Sequence, residues 1–382
     1  MDITNNLINL ISNDTTKMKS LQDANEKLHI NNSLNKIIFV YSKPKVGSTS
    51  LVTSLRIFAS KYYNIIHIHD DQMLKVLGNI ENITVNEIIL YNKIIGKDVY
   101  VIDIYRSPIE RKISTFFEKI DTYHFNADIS KLADYSIDCI IERFNKIFPH
   151  IGIGDNFLDI YNIEKPNIFP HSKKYIYIEQ NGIKYIKLRL KDVDLWENIL
   201  YNELKIKLKI IPDYETNNKP VKIIYNLFKR NYKLPLNHFE HIQNCVYLNY
   251  YYSPQEIEEY LNIWNNKIID HCIPFTTDEY KLYDYICSQN NNYSRVIHLK
   301  HYLDEGCLCK ACQIKRNRIV FKLMNGQPIT ERIFHEEAKN ELIENRLKNF
   351  NKAIFLSKKR FIQNKNQNQN KMPNMKHIAN IR

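Results

Sequence analysis

Residues 43–50 combine the kinds of groups that bind an anion. The run Lys-Pro-Lys-Val-Gly-Ser-Thr-Ser holds two lysines, a glycine and three hydroxyls. An apolar run at 37–41 precedes it with the length and β-branched content of a buried strand, and apolar residues at helical spacing follow it. Such a strand–loop–helix junction points backbone N–H groups at a ligand, and the helix dipole favours negative charge there. We therefore predict an anion site, with an ordinary strand-to-helix turn as the alternative.

A second basic motif, Arg106-Ser-Pro-Ile-Glu-Arg, follows another apolar run at 99–105. Ser107 can cap the helix that begins there, and proline suits the first helical position. Arg106 and Ser114 form the second predicted anion site, with a surface ion pair as the alternative role for the arginine. The two sites lie about 60 residues apart at the ends of neighbouring predicted strands, so together they can hold two phosphates of one nucleotide.

The elements that must position these motifs alternate between strand and helix along residues 36–120. Short connections between them predict a parallel sheet with ligands at the carboxyl ends of its strands. A later pair of apolar runs around Asn181-Gly182 predicts a hairpin. The predicted fold class is therefore α/β, a P-loop-like parallel β-sheet flanked by helices, with a helical or irregular carboxyl-terminal extension. The loop at 43–50 does not match the ATP-binding P-loop pattern, because its lysine precedes the glycine.

The paired motifs resemble those of the sulfotransferase family, which uses 3′-phosphoadenosine-5′-phosphosulfate as sulfuryl donor. Residues 44–50 are similar to the family's loop for the 5′-phosphosulfate. Residues 104–111, with Ser114, are similar to its site for the 3′-phosphate. The pairing of the two motifs is more specific than either motif alone.

The nearest resemblance is to the glycan-modifying branch typified by heparan sulfate 2-O-sulfotransferase. That branch has a Tyr- and His-rich second strand like residues 61–69. Residues 188–192, before Trp196, are similar to a late strand–helix element of the family. Good resemblance covers residues 36–120, and a thinner one extends to about residue 270.

The resemblance implies a role for each matched residue. Lys45 would contact the 5′-phosphate and the bridging oxygen, and would neutralise charge that builds on the leaving group. Arg106 and Ser114 would hold the 3′-phosphate. The acceptor would be a hydroxyl of a carbohydrate or glycoconjugate. The phosphate would be cradled by the rest of the loop, Val46, Gly47, Ser48, Thr49 and Ser50.

The acceptor hydroxyl needs a general base with a pKa near neutrality. The histidine-containing segment of the nearest relatives has no clear counterpart in residues 72–97. His69 is the first candidate, because it lies at the carboxyl end of the predicted second strand. His67, on the same predicted face, and Asp70 are the alternatives. A structural histidine is the competing interpretation of both imidazoles.

We thus predict a sulfotransferase that moves a sulfuryl group from 3′-phosphoadenosine-5′-phosphosulfate to a carbohydrate hydroxyl. One alternative is a nucleotide-dependent phosphoryl transferase, such as a small-molecule kinase, which magnesium dependence and ATP binding would distinguish. The other alternative is a catalytically degenerate sulfotransferase fold kept as a binding module. Such a module would bind the nucleotide without turnover.

A cluster of histidines and cysteines lies far from these motifs. Three cysteines and one histidine can close a tetrahedral structural zinc site, here His301, Cys307, Cys309 and Cys312. The Cys-x-Cys spacing is a less favourable chelate than Cys-x-x-Cys, so free thiols on a loop are the alternative. Because the cluster lies outside the family resemblance, we expect it to serve stability or partner binding.

The net charge of +12 is concentrated at the carboxyl terminus. Residues 313–382 hold 16 Lys and Arg against five Glu, which gives +11 and leaves +1 for residues 1–312. Overall basicity therefore does not predict that the folded body binds nucleic acid. We expect the tail to add weak, non-specific attraction to polyanions.

Composition shifts divide the sequence into four predicted segments. They are a loosely attached polar leader (1–35), the sulfotransferase-like domain (36–285), the Cys/His cluster with a charged helical extension (286–350), and a basic low-complexity tail (351–382). No apolar run reaches transmembrane length, and the polar start lacks the apolar centre of a signal peptide. Seven scattered cysteines fit reduced thiols. We therefore expect a cytoplasmic protein.

Overall fold

The computed structural model describes residues 3–124, 132, 135–212 and 221–288. The chain divides into two compact units, residues 1–124 with 129–275, and residues 125–128 with 276–382. The candidate zinc ligands and the basic tail lie outside the described residues, so both stay predictions.

Five strands form the central sheet. They are β1 (Lys36–Tyr41), β2 (Asn64–Ile68), β3 (Asp98–Tyr105), β4 (Ile176–Gln180) and β5 (Ile183–Arg189). Their order is β2-β1-β3-β5-β4, with β4 antiparallel to β5 and every other pairing parallel. Strands β1 and β3 are almost continuously buried, as a parallel sheet covered on both faces requires. The predicted α/β class, with a mostly parallel sheet flanked by helices, is confirmed.

The helices of the first unit alternate with these strands and then follow them. The first six are α1 (Ile3–Asn13), α2 (Thr15–Lys27), α3 (Ser48–Ala59), α4 (Asp71–Gly78), α5 (Val85–Ile94) and α6 (Pro108–Glu118). Next come α7 (Ile137–Ile147), α8 (Asn156–Asp159), α9 (Trp196–Leu204), α10 (Lys222–Asn231), α11 (Leu236–Gln243), α12 (Val246–Tyr251) and α13 (Pro254–Asn265).

Shorter elements complete the described part of the chain. A π-helical turn spans Ile120–His124, and 3-10 turns span Phe148–His150 and Leu190–Leu195. The two-residue strands β6 (Leu234–Pro235) and β7 (Ile268–Ile269) pair in parallel. In the second unit, α14 (Thr277–Ser288) is described. Among the described helices, none is both long and apolar enough to cross a membrane.

The hairpin between β4 and β5 forms at Asn181-Gly182, as predicted. Asn181 has a φ of 54° and Gly182 a φ of 69°. Two central residues with positive φ match the twist of an antiparallel pair joined by a tight turn. This edge hairpin places β5 beside β3, where its carboxyl end reaches the candidate site.

The sheet order places a topological switch point at the carboxyl ends of β1 and β3. Strand β1 has β2 on one side and β3 on the other. The connections that leave β1 and β3 therefore diverge, and open parallel sheets bind ligands at such a switch point. Both predicted anion-binding motifs follow these two strand ends, and they begin at Lys43 and Arg106.

Helices α3 and α9 cover one face of the sheet. Their apolar residues pack on β1, β3 and β5 in one buried cluster, which fixes the start of α3 relative to the strand ends. Its most deeply buried members include Ile38, Val40, Leu51, Leu55, Ile102, Leu188, Trp196 and Leu200.

The amino-terminal segment is helical and attached, in contrast to the loosely attached leader that the sequence predicts. Leu21 and Ala24 on α2 are fully buried. Asn25 exchanges side-chain hydrogen bonds of 3.0 and 2.9 Å with Asn92 on α5. A buried amide pair satisfies its own donors and acceptors, so this contact stabilises the interface although the segment reads as polar.

Candidate active site

The loop between β1 and α3 requires glycine at residue 47. Gly47 has a φ of 92°, in the left-handed region that other residues avoid. A Cβ on Gly47 would lie 2.8 Å from Cδ1 of Leu190, which follows β5. Helix α3 begins at Ser48, and no side chain caps its amino terminus. Its first N–H groups therefore suit an anionic ligand, because the first turn of a helix leaves its donors without intrahelical partners.

Lys45 is held in this loop by an ion pair. Its φ is 68°, and its ammonium lies 2.8 Å from Oε2 of Glu118, the last residue of α6. The lysine side chain is 13% exposed and the glutamate side chain 28%. An anion that binds the Lys45 ammonium must therefore share it with Glu118 or displace that carboxylate.

Arg106 connects the two predicted motifs directly. Its Nη1 donates a 2.9 Å hydrogen bond to the backbone carbonyl of Lys45, 61 residues earlier in the chain. Burial lowers the pKa of Arg106, while nearby Tyr225 and Glu110 act in the opposite direction. Arginine still carries its charge at neutral pH, so a partly buried cation lies against the loop. Ser114 is buried on α6, and its hydroxyl makes no hydrogen bond to a described residue.

His67 and His69 lie together beside the same loop, on the shared face that the sequence predicts. Their ring centroids are 4.6 Å apart. Nε2 of His67 is 3.0 Å from Oγ of Ser48. Nδ1 of His69 donates to the carbonyl of Ser42 at 2.7 Å, because a carbonyl can only accept. This assigns the proton of a neutral His69 to Nδ1 and leaves Nε2 as its basic nitrogen.

Both imidazoles are neutral near pH 7. Burial lowers the pKa of His67 to about 4, and the neighbouring His69 acts in the same direction. Burial also lowers the pKa of His69, partly offset by the Ser42 carbonyl and by Asp70. A neutral imidazole can accept a proton, so either ring is in the form that a general base requires.

We expect His67 to make the protein sensitive to acid. Its folded pKa of about 4 is below the ordinary 6.5, so only the unfolded chain takes up its proton as pH falls. Stability is therefore retained above pH 6.5 and lost between pH 6.5 and 4. Across that interval, Tm of the wild type should fall on the order of 5 °C more than Tm of His67→Gln.

The measurement is thermal unfolding in a series of buffers at constant ionic strength. His271→Gln, at an exposed histidine of the same unit, is the matched control and should follow the wild type. Parallel Tm profiles for wild type and His67→Gln would contradict a buried neutral imidazole at this position.

Residues 152–159 form a wall of the site that the sequence does not predict. Arg111 donates to the carbonyl of Ile153 and, at 2.7 Å, to that of Gly154. A Cβ on Gly154 would lie 3.6 Å from Cε of Lys43, so this wall runs beside the loop. Nδ2 of Asn156 donates to the carbonyl of His69 at 3.4 Å. The pair of glycines at 152 and 154, in a chain with eight, is the available sequence signal.

A buried ion network fixes this wall to the sheet. Nζ of Lys187 lies 2.8 Å from Asp103 and 2.5 Å from Asp155, and all three side chains are almost fully buried. Asp103 also accepts from the backbone N–H of Phe157 at 2.9 Å. Burial raises the pKa of Asp103 against the attraction of Lys187. The network thus holds α8 on β3 and β5, directly below the strand ends.

Leu190, the residue after β5, lies at the site, and contacts of the neighbouring Arg189 hold this end of the strand in place. Arg189 forms ion pairs with Asp192 at 2.5 Å and with Glu256 at 2.8 Å. Nε1 of Trp196 donates to the carbonyl of Arg189 at 3.0 Å. These contacts support Leu190, which packs over Gly47.

Comparisons with protein-family models, with curated proteins and with solved structures find no match to this chain. In the described part of the chain, no three His, Cys, Asp or Glu side chains are grouped so as to hold a metal ion. The predicted zinc ligands lie outside that part.

Proposed function

We propose that this protein transfers a sulfuryl group from 3′-phosphoadenosine-5′-phosphosulfate to a hydroxyl of a carbohydrate. The observation that carries the proposal is the hydrogen bond from Arg106 to the carbonyl of Lys45. It brings the two predicted anion-binding motifs together at the switch point of a mostly parallel sheet. A donor with phosphate groups at both its 3′ and 5′ positions uses two such elements, whereas a single phosphate uses one.

In this proposal, the loop acts as a P-loop-like cradle for the 5′-phosphosulfate. The uncapped N–H groups at the start of α3 supply hydrogen bonds, and the hydroxyls of residues 48–50 lie in the same turn. Arg106 binds the 3′-phosphate, with Ser114 on the following helix as a further donor. Lys45 leaves Glu118 when the donor binds, so that its ammonium faces the bridging oxygen.

His69 supplies the general base. The acceptor oxygen forms a bond to sulfur while its proton passes to Nε2 of His69. The bond between sulfur and the bridging oxygen breaks, and the electron pair leaves with 3′-phosphoadenosine-5′-phosphate. The hydrogen bond from Nδ1 to the Ser42 carbonyl fixes the orientation of the ring, which a proton acceptor needs. Transfer of this kind depends mainly on positioning and on charge stabilisation, as in phosphoryl transfer.

The ion pair between Lys45 and Glu118 favours a second candidate, a binding module without turnover. In an active enzyme the Lys45 ammonium has to stabilise the leaving group. A degenerate site has no such requirement, so it would tolerate the Glu118 carboxylate beside that ammonium. The two candidates differ in one result, because the module binds 3′-phosphoadenosine-5′-phosphate and transfers no sulfuryl group.

Sulfuryl transfer from a labelled donor to a panel of glycans tests the proposal. We expect label to appear in at least one glycan class and to depend on Lys45. Nucleotide binding without any transfer would support the binding module. Transfer of phosphate from ATP under the same conditions would support a phosphoryl transferase and contradict the proposal.

Arg106→Ala should weaken the binding of a ligand with a 3′-phosphate more than the binding of a ligand without one. The variant loses a charge-assisted contact, and we expect roughly 10- to 100-fold weaker binding of 3′-phosphoadenosine-5′-phosphate. Adenosine 5′-phosphosulfate, which lacks the 3′-phosphate, should weaken far less. Titration calorimetry with both ligands measures the difference.

Arg106→Lys is the matched variant, because it keeps a positive charge and loses the forked guanidinium. Its affinity for the ligand with a 3′-phosphate should lie between those of the wild type and Arg106→Ala. Equal losses for both ligands in Arg106→Ala would show that Arg106 supports the loop through the Lys45 carbonyl and does not read the 3′-phosphate.

A further inference from the structure

An open groove of about 640 Å³ lies at the amino-terminal ends of β1 and β2, opposite the candidate active site. Its lining includes Lys36, Lys61, Lys205 and Lys207 and no aspartate or glutamate. All four lysines are exposed, and none forms an ion pair with a residue that the structure describes. The lining therefore carries four positive charges and no negative charge, although residues 1–312 together carry a net charge of only +1.

Two aromatic rings are exposed at the same groove. Phe58 on α3 is 41% exposed and Tyr62, three residues after the helix ends, is 66% exposed. A third ring, Tyr63, is buried, and the Lys36 ammonium lies 5.4 Å from its centroid. A single exposed ring is ordinary on a protein surface, but two beside four unneutralised lysines form a mixed cationic and aromatic surface.

The chain after α9 is built to present its lysines outward. Residues 205–210 read Lys-Ile-Lys-Leu-Lys-Ile, and burial alternates along them. Ile206 and Leu208 are buried in the apolar cluster under α3 and α9, while the lysines on either side are exposed. Because the apolar residues are fixed in the core, Lys205 and Lys207 are held at the groove by the fold.

We propose that this groove binds a single-stranded nucleic acid. The lysines contact successive phosphates, and Phe58 and Tyr62 stack on bases. Because lysines and no carboxylates line the groove, its surface is complementary to a polyanion. The exposed aromatic rings favour a polyanion whose repeating units carry flat aromatic groups. Binding by stacking and backbone charge has little sequence preference and a steep salt dependence. This activity is independent of the sulfuryl transfer proposed above.

The test measures binding of the full-length protein to two fluorescein-labelled dodecamers with the same number of phosphates. One is oligothymidine, and the other is an abasic strand that lacks every base. We expect oligothymidine to bind more tightly. Tyr62→Ala should weaken oligothymidine roughly 5- to 100-fold and leave the abasic strand unchanged. The double variant Lys61→Gln/Lys207→Gln should weaken both strands and lower the salt slope by about 0.7 for each lost phosphate contact.

The matched control is Lys229→Gln/Lys267→Gln, which removes the same charge from exposed positions elsewhere in the first unit. The basic tail is present in every variant, so its attraction to polyanions is constant across the series. Equal losses in the two double variants, or equal binding of the two strands, would overturn the proposal. Competition with a sulfated glycan gives a further check. The proposal would also be overturned if the glycan displaced oligothymidine and Tyr62→Ala changed the affinity for neither the glycan nor oligothymidine.

Discussion

Lys45→Ala should lower kcat for sulfuryl transfer by roughly 10²–10³, the range for losing one preorganised charge-stabilising group. Negative charge grows on the bridging oxygen only as the sulfur–oxygen bond breaks, so the ammonium acts chiefly on the transition state. The backbone N–H groups at the start of α3 remain in the variant. Kd for 3′-phosphoadenosine-5′-phosphate should therefore rise much less than kcat falls. Initial rates with labelled donor, together with calorimetry, give both quantities.

Glu118→Gln is the matched control, because it breaks the same ion pair and keeps the cation. If the pair only supports the loop, both variants should lose activity alike. In the proposed mechanism, Glu118→Gln keeps its turnover and binds the nucleotide more tightly, since no carboxylate competes for Lys45. Wild-type turnover in Lys45→Ala would contradict the role given to this lysine.

His69→Gln should reduce kcat by roughly 10²–10⁴, the usual contribution of a general base. Glutamine can still donate to the Ser42 carbonyl, so the segment should keep its conformation while it loses the basic nitrogen. Nucleotide affinity should stay near that of the wild type, because His69 contacts the carbonyl of Ser42, which precedes the loop, and the glutamine keeps that contact. Steady-state rates over a series of pH values test this.

The pH profile distinguishes a base from a structural group. Because burial lowers the pKa of His69, the acid limb of kcat should lie below the ordinary pKa of a histidine, 6.5. Activity falls there as His69 gains a proton, and that limb should disappear in His69→Gln. His67→Gln is the comparison variant, and it should retain the acid limb. If His67→Gln loses the limb and His69→Gln keeps it, the base is His67.

The parts of the site that sequence predicts are those where local pattern alone decides the structure. Apolar runs define β1 and β3. The turn from the loop into α3 needs a residue with positive φ, and Gly47 supplies it. Arg106 and the loop meet because the adjacent parallel strands β1 and β3 end at the same edge of the sheet. Each of these inferences needs a window of about ten residues and one topological rule.

The parts that sequence does not predict depend on pairings between distant residues. Glu118 lies 73 residues after Lys45 in the sequence, and the two meet only because the last turn of α6 lies beside the loop. Asp103 and Lys187 lie in buried stretches of β3 and β5, and their pairing becomes visible only when the register of the two strands is known. A polar residue within a buried strand signals that a partner exists, but the identity of that partner requires the tertiary fold.

Titration calorimetry of the full-length protein with 3′-phosphoadenosine-5′-phosphate and with ATP shows whether the ends of β1 and β3 form two adjacent phosphate subsites for one nucleotide. We predict that 3′-phosphoadenosine-5′-phosphate binds without added metal and much more tightly than ATP, with or without magnesium. Tight binding of ATP with magnesium, together with no heat from 3′-phosphoadenosine-5′-phosphate, would contradict this arrangement.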